Sequence, residues 1–348
     1  MESVKKEKGS SSYLPQDLIE KILLNLPAKS IPKLVVVSKL WSSIIRGKSF
    51  IDLYMEQSQS RPCFLLSFHR DSIQFFQIKP SQSLEAASTS PSSSYTSTTS
   101  SFPLNLDTLS YNVYPPVCGL ICFQNLDKVV VSNPSTGQFF VLPKLNTRRT
   151  GISRFLGYDP VKDEYKVLCM TVLITSRNVV SEDHQVFTLG GGAQKEKKEA
   201  TWRMIKCKVP HCPVAKVKEL CSNGLVYYGA WSNNKGKSKV ALANHSDFGK
   251  FDMWVLGDVV KQEWSKISVV VPSWNDLVGL GRRDHFSLRG VVSSGKFIFA
   301  PVYWRGPFCV ISYDPKEDIA RRVVIEGLGD NLRSVRLYLD HVERPIIL

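Results

Sequence analysis

Apolar positions change their spacing twice along this chain, and each change marks a structural boundary. Between Tyr13 and Ile45 they recur at helical intervals. Leu18, Ile19, Ile22, Leu23 and Leu26 form one stripe, with Pro15 at a first turn, where a missing N–H leaves no extra gap. Pro27 ends that helix. A second short run, residues 31–37, contains Pro32, which is tolerated only near a helix start. Ser38 is placed to cap a third helix carrying Leu40, Trp41, Ile44 and Ile45 on its buried side. Helices this short hold too little core to be stable alone, so their surplus apolar surface has to meet something else.

The spacing then shortens to two. The segment RPCFLLSFHRDSIQFFQI alternates apolar and polar positions and predicts a strand pair. Between Ser81 and Ser101, 14 of 21 residues are Ser or Thr, too polar to offset the entropy of ordering, so a mobile loop is expected there. From Val113 onward the pattern is β throughout. The runs KVVVSN, QFFVLP, YKVLCM, GLVYYGAW, MWVLGDV and KFIFAPVYW are bounded by Gly, Pro, Asn or Asp. Asn223–Gly224 is a hairpin signal, since a type I′ turn needs positive φ at both central positions. Ser294–Gly295 plays a similar part. Asn133–Pro134, Asp159–Pro160 and Asp314–Pro315 share one design, in which an Asx side chain bonds forward while proline fixes the next φ. LGYDPVKDEYKVLC and ISYDPKEDIARRVVI match each other around that turn.

Repeated strand–turn–strand units predict a propeller-like domain, with about five or six irregular blades over residues 105–348. A β-sandwich, or two stacked sheets, is the alternative. The expected class is therefore α+β: a small N-terminal three-helix module, then an all-β, irregular, β-propeller-like domain. The expected divisions are a tail at 1–12, the helical module at 13–58 and a β domain at 61–348 interrupted by the Ser/Thr-rich loop at 81–101.

Composition narrows the function classes. The 348 residues carry a net charge of +14, but the cations are spread along the chain in short clusters without a nucleic-acid-binding signature. A cationic surface suited to an acidic protein explains the charge, and nucleic acid is the weaker explanation. Eight cysteines lie without regular spacing, several within apolar runs, which reads as reduced thiols of an intracellular protein. No apolar leader opens the chain, and no run is long enough for a membrane helix. Cys207, His211, Cys212 and Cys221 superficially have metal-ligand spacing, yet the chain has no CxxC pair. Gly236-Lys237-Ser238 ends like a phosphate loop, but the glycine required five residues earlier is Trp231. The six histidines lie far apart. No catalytic residue, metal or cofactor is expected.

Leu14, Pro15, Asp17, Leu18, Ile22, Leu23, Leu26, Pro27, Lys29, Ser30, Ile31, Val37, Ser38, Lys39, Trp41, Ile44 and Ile45 together resemble the F-box; Pro32 departs from its usual pattern. Further along, GLICF, SNPSTGQ, FLGYDPVKDEYKVLCM, HQVFTLG, TWRMIKC, SNGLVYY, MWVLGDVVKQEWSK and LDHVE resemble the third type of F-box-associated domain of plant F-box proteins. One strand pair usual in that family, between the SNGxxYY hairpin and the MWVL strand, is missing here, which predicts an incomplete blade and local instability around residues 229–252.

The resemblance implies a substrate-recognition subunit of an SKP–cullin–F-box ubiquitin ligase with no chemistry of its own. Leu14, Pro15, Leu18, Ile22, Leu23, Leu26, Pro27, Ile31, Val37 and Trp41 would then dock an SKP-type adaptor and, through it, cullin, while the β domain binds an unidentified target. The implied setting is the cytoplasm, the nucleus or both, without membrane. The alternatives are an adaptor-binding protein without a ligase role, a degenerate paralogue, and a propeller that binds nucleic acid or a small ligand.

Overall fold

A computed structural model describes residues 14–346, except 62, 70–72, 79–96, 102–110, 126–127, 146–149, 173–180, 191–200, 214–219, 223–224, 228–229, 233–242, 246–248, 259–262, 280–285, 302–306, 326–327 and 329–332. Helices come first: α1 (Gln16–Leu24), a 3₁₀ turn (Ala28–Ser30), α2 (Ile31–Leu34), α3 (Lys39–Arg46) and α4 (Lys48–Gln59). The expected three-helix module thus gains α4, whose Phe50, Ile51 and Tyr54 are buried. Ser38 caps α3 as expected, its Oγ accepting from the Trp41 N–H at 3.1 Å. Pro15 is the N-cap of α1, and its carbonyl accepts from Leu18 and Ile19.

Strands follow in chain order. β1 (Cys63–His69), β2 (Ile73–Ile78) and β3 (Ser97–Ser101) form one sheet, and β4 (Tyr111–Val113), β5 (Ile121–Asn125), β6 (Lys128–Ser132) and β7 (Phe139–Val141) the next. In the third, β8 (Thr150–Asp159), β9 (Glu164–Val172), β10 (Ser181–Leu189) and β11 (Arg203–Pro213) are joined by β14 (Ala230–Ser232). Between β11 and β14 lies a hairpin, β12 (Leu220–Ser222) and β13 (Leu225–Tyr227). Its pairing leaves two residues for the turn expected at Asn223–Gly224, which itself falls outside the described residues. The fourth sheet holds β15 (Ala243–His245), β16 (Lys250–Asp258) and β17 (Glu263–Val270). After the short α5 (Trp274–Val278), the fifth holds β18 (Phe286–Val291), β19 (Phe297–Pro301), β20 (Cys309–Asp314) and β21 (Ile319–Val324). The last strand, β22 (Arg333–His341), returns to pair antiparallel with β1.

Four pairs of sheets pack face to face among the described residues. Leu65, Ile73 and Phe75 of the first pack on Ile121, Phe123 and Val130 of the second. Cys122, Val129 and Val131 of the second pack on Leu156, Tyr165, Val167 and Phe187 of the third. The fourth and fifth share Phe251, Val269, Phe286, Phe299 and Ile311. The first sheet's other face, with Phe64, Leu66, Phe68 and Phe76, packs on Ile298, Ala300 and Val310 of the fifth. A sheet covered on both faces needs apolar residues at consecutive positions, which is why β19 is buried along its whole length instead of alternating. Pairing of β22 with β1 brings the end of the β domain back to its first sheet.

The three Asx–Pro turns share one geometry. Asp159 Oδ1 accepts from the Val161 and Lys162 N–H groups, Asp314 Oδ1 from Lys316, and Asn133 Oδ1 from Ser135 and Thr136. Four residues after each Asx the backbone turns left-handed, at Gly137 (φ 78°), Asp163 (φ 52°) and Asp318 (φ 51°). In two of them the preceding tyrosine closes the turn: Tyr158 donates to Asp163 at 2.7 Å and Tyr313 to Asp318 at 2.9 Å. The repeat is therefore structural as well as textual.

One boundary differs from expectation. Residues 97–101 of the Ser/Thr-rich stretch are strand β3, paired along β2 from Ile78↔Ser97 to Gln74↔Ser101. Thr-rich sequence suits an edge strand when a buried neighbour supplies the template. The rest of that stretch, and the tail at 1–12, lie outside the described residues. So does most of the shortened region after Trp231; the sheet beside it shows three strands among the described residues.

Candidate functional site

The helical module divides its apolar residues between two destinations. Ile19, Leu23, Ala28, Ile31, Ile44, Ile45, Phe50, Ile51 and Tyr54 form its core. Tyr54 ties α4 to the end of α1 by donating to the Leu26 carbonyl at 2.8 Å. Burial, with the Glu343 carboxylate nearby, holds its phenol above the ordinary range. The second set faces outward. Leu14, Leu18 and Ile22, spaced by four, are 50%, 46% and 45% exposed, and Val36 and Val37 reach 87% and 56%. Leu18 and Ile22 form one ridge of α1, with Leu14 just ahead of its N-cap Pro15, and Ile19 and Leu23 lie on the next ridge.

The residues expected to dock a partner are therefore sorted by the fold. Leu14, Pro15, Leu18, Ile22, Pro27 and Val37 are exposed, Leu26 and Trp41 are half-buried, and Leu23 and Ile31 are wholly inside. The single apolar stripe read from sequence is two rows, because a helix between its own core and open surface uses both flanks. Leu40, expected on a buried side, is instead exposed at 39%, and Leu53 on α4 is exposed as well. The sequence reading missed Val36, Leu40 and Leu53; the four-residue spacing of Leu14, Leu18 and Ile22 was the signal that separated the two rows.

Exposed apolar residues gathered in one short module are the kind of feature that marks an interaction site. Residues 14–47 carry five cations (Lys21, Lys29, Lys33, Lys39, Arg46) against two acids (Asp17, Glu20). Such a balance favours encounter with an acidic partner.

Among the described residues no cluster of His, Cys, Asp and Glu is arranged to hold a metal ion. Of the suspected metal spacing, Cys221 accepts instead from the Tyr158 N–H at 3.4 Å, and the side chains of Cys207 and Cys212 lie outside the described residues. Burial, reinforced by Cys221, pushes the Cys118 thiol up to about 11, so it is protonated at neutral pH and a poor nucleophile. No described helix is long and apolar enough to cross a membrane.

Comparison with known proteins places both parts. Residues 11–53 match the F-box domain, and residues 63–238 and 233–342 match the F-box associated beta propeller domain. An F-box/kelch-repeat protein of Arabidopsis thaliana is 39% identical over 100% of this chain and 96% of its own length. An F-box protein and a putative F-box protein of the same plant are 30% and 32% identical, each over 96% of this chain and 92% and 98% of their own. The fold and the helical surface thus define a two-part protein, a helical docking module on a β domain. The chain belongs to the plant F-box proteins with an F-box-associated domain.

Proposed function

We propose that this protein is the substrate-recognition subunit of an SKP–cullin–F-box ubiquitin ligase, acting in the cytoplasm, the nucleus or both. In this reading Leu14, Pro15, Leu18, Ile22, Pro27 and Val37 contact the SKP-type adaptor directly, joined by the exposed parts of Leu26 and Trp41. Leu23 and Ile31 support them from behind. The β domain holds a target protein, and no residue of this chain performs chemistry. Transfer to the target is promoted by proximity, since a tethered acceptor lysine meets the conjugating enzyme at raised effective concentration.

The observation that carries the reading is the exposed ridge Leu14–Leu18–Ile22 on a module matching the F-box domain. Apolar side chains left in water along one helix row need a partner surface. The test is co-precipitation of the full-length protein with an SKP-type adaptor. Replacing Leu14 and Pro15 together with alanine should abolish capture while the β domain stays folded. Capture equal to wild type would remove the proposed interface.

A further inference from the structure

The helical module does not close its own core. Ile346, 3% exposed, sits among Ile19, Leu23, Ile31, Ile45 and Phe50, although the whole β domain separates it in sequence from the end of α4 at Gln59. It arrives there on residues 342–346, which leave β22 immediately after that strand has paired with β1.

This short segment is held along its length by both domains. The Glu343 N–H donates to Ser58 Oγ of α4 at 2.7 Å. Arg344 is 3% exposed, and its carbonyl accepts from Asn133 Nδ2 at 2.9 Å, at the first Asx–Pro turn. Its guanidinium lies 5.1 Å from the centre of the Tyr165 ring and donates to the Tyr165 hydroxyl at 3.1 Å. The same side chain reaches Met55 Sδ at 3.3 Å and, through Nε, the Ile346 carbonyl at 3.0 Å. A buried cation is tolerated only when such contacts replace its water. Gly119 makes room for the crossing: at φ +84°, a Cβ there would lie 2.6 Å from Arg344 Cβ and 3.0 Å from the Val342 carbonyl. One further tie is the Lys48–Asp163 ion pair, at 3.9 Å, between α4 and the β8–β9 turn.

We propose that residues 342–346 are a strap through which closure of the β domain by β22 completes and fixes the helical module, with Arg344 as its positioning residue. Until β22 pairs with β1, Ile346 has no route into the helical core and Arg344 does not reach Tyr165. The docking surface is then fully formed only on a chain whose β domain has closed, and it is held at one angle to that domain. The consequence for adaptor capture rests on the docking reading above; the structural coupling does not.

Hydrogen exchange on the full-length chain tests this with Ile346→Ala and Arg344→Leu. The expected result is exchange in α1–α4 faster by about tenfold or more, with β5, β6, β8 and β9 unchanged. Ile346→Val, which keeps the apolar contact, should remain close to wild type. Wild-type helix exchange in both variants overturns the strap. Should Arg344→Leu loosen the β sheets as well, Ile346→Ala decides, because its side chain packs only in the helical core: helices loosened alone support the strap, and helices and sheets loosened equally overturn it. Adaptor binding by Leu18→Asp separates the two readings. Undiminished binding there removes the docking interface but leaves the strap standing if its variants still loosen the helices.

Discussion

The helical module and the β domain use apolar residues in opposite ways. In the β domain the first, second and fifth sheets each lie between two neighbours, and Phe75, Phe123, Phe187 and Phe299 are inside. In the helical module, α1 buries Ile19 and Leu23 but leaves Leu18 and Ile22 in solvent, and part of its core is supplied by Ile346 from the far end of the chain. One region is built to be self-sufficient and the other to be finished by contacts beyond itself. Exposure of large apolar residues is uninformative when scattered, but a row at helical spacing is a statement about binding.

That contrast breaks most sharply between the two rows of α1. Leu23→Ala should cost about 2–5 kcal/mol of helical-module stability, because it opens a cavity in a filled core. Leu18→Ala should change stability by no more than about 0.5 kcal/mol while weakening adaptor binding by roughly tenfold or more. Thermal melting and adaptor titration of both variants check this; a stability loss for Leu18→Ala as large as that for Leu23→Ala would erase the distinction between the rows.

A smaller effect comes from the seam where β22 ends. Burial lowers the His341 pKa from 6.5 to about 4, and among the described residues its Nδ1 has no hydrogen-bond partner. The folded state therefore favours neutral imidazole. Stability is full above the unfolded value and is lost as pH falls from 6.5 towards about 4, on the order of 3 kcal/mol in all. Melting curves at about pH 7.5 and about pH 4.5 should differ less for His341→Gln than for wild type. An equal acid shift in the variant would assign the loss to other groups.

The smallest effect concerns the repeated turns. Lys166, then the Lys162 N–H, holds the Asp159 carboxyl below its ordinary range; for Asp314 the Lys316 N–H leads. Each aspartate changed to alanine should lower the melting temperature by about 2–4 °C without altering adaptor binding. Asp159→Ala should be the larger of the two, since Lys166 lies 2.8 Å from Asp159 and Lys296 lies 3.6 Å from Asp314. A loss at one turn only would show that shared geometry does not mean shared energetic weight.

Local chemistry was legible in the sequence. Ser38, Asp159 and Asp314 cap as read, because a cap depends on residues within four positions. The β1–β2 pair and the strands around KVVVS and FIFAP were equally plain, since their apolar runs carry their own boundaries. What stayed hidden was long-range. Nothing around Ile346 announces a place in a helical core, and nothing in α1 alone says which of its two rows the core takes. The strand at residues 97–101 escaped for the same reason: its partner β2, and not its own composition, orders it. The residues proposed to dock were thus visible as a set, and only the fold shows that the core takes Leu23 and Ile31 from it.

The most direct measurement is the affinity of the full-length protein for a purified SKP-type adaptor, comparing wild type with Leu18→Asp/Ile22→Asp. Placing two carboxylates on the exposed ridge should lower affinity by about a hundredfold or more while helix content and melting temperature stay close to wild type. Binding retained at wild-type strength by a folded double variant would contradict the claim that the Leu14–Leu18–Ile22 face is where this protein meets its ligase.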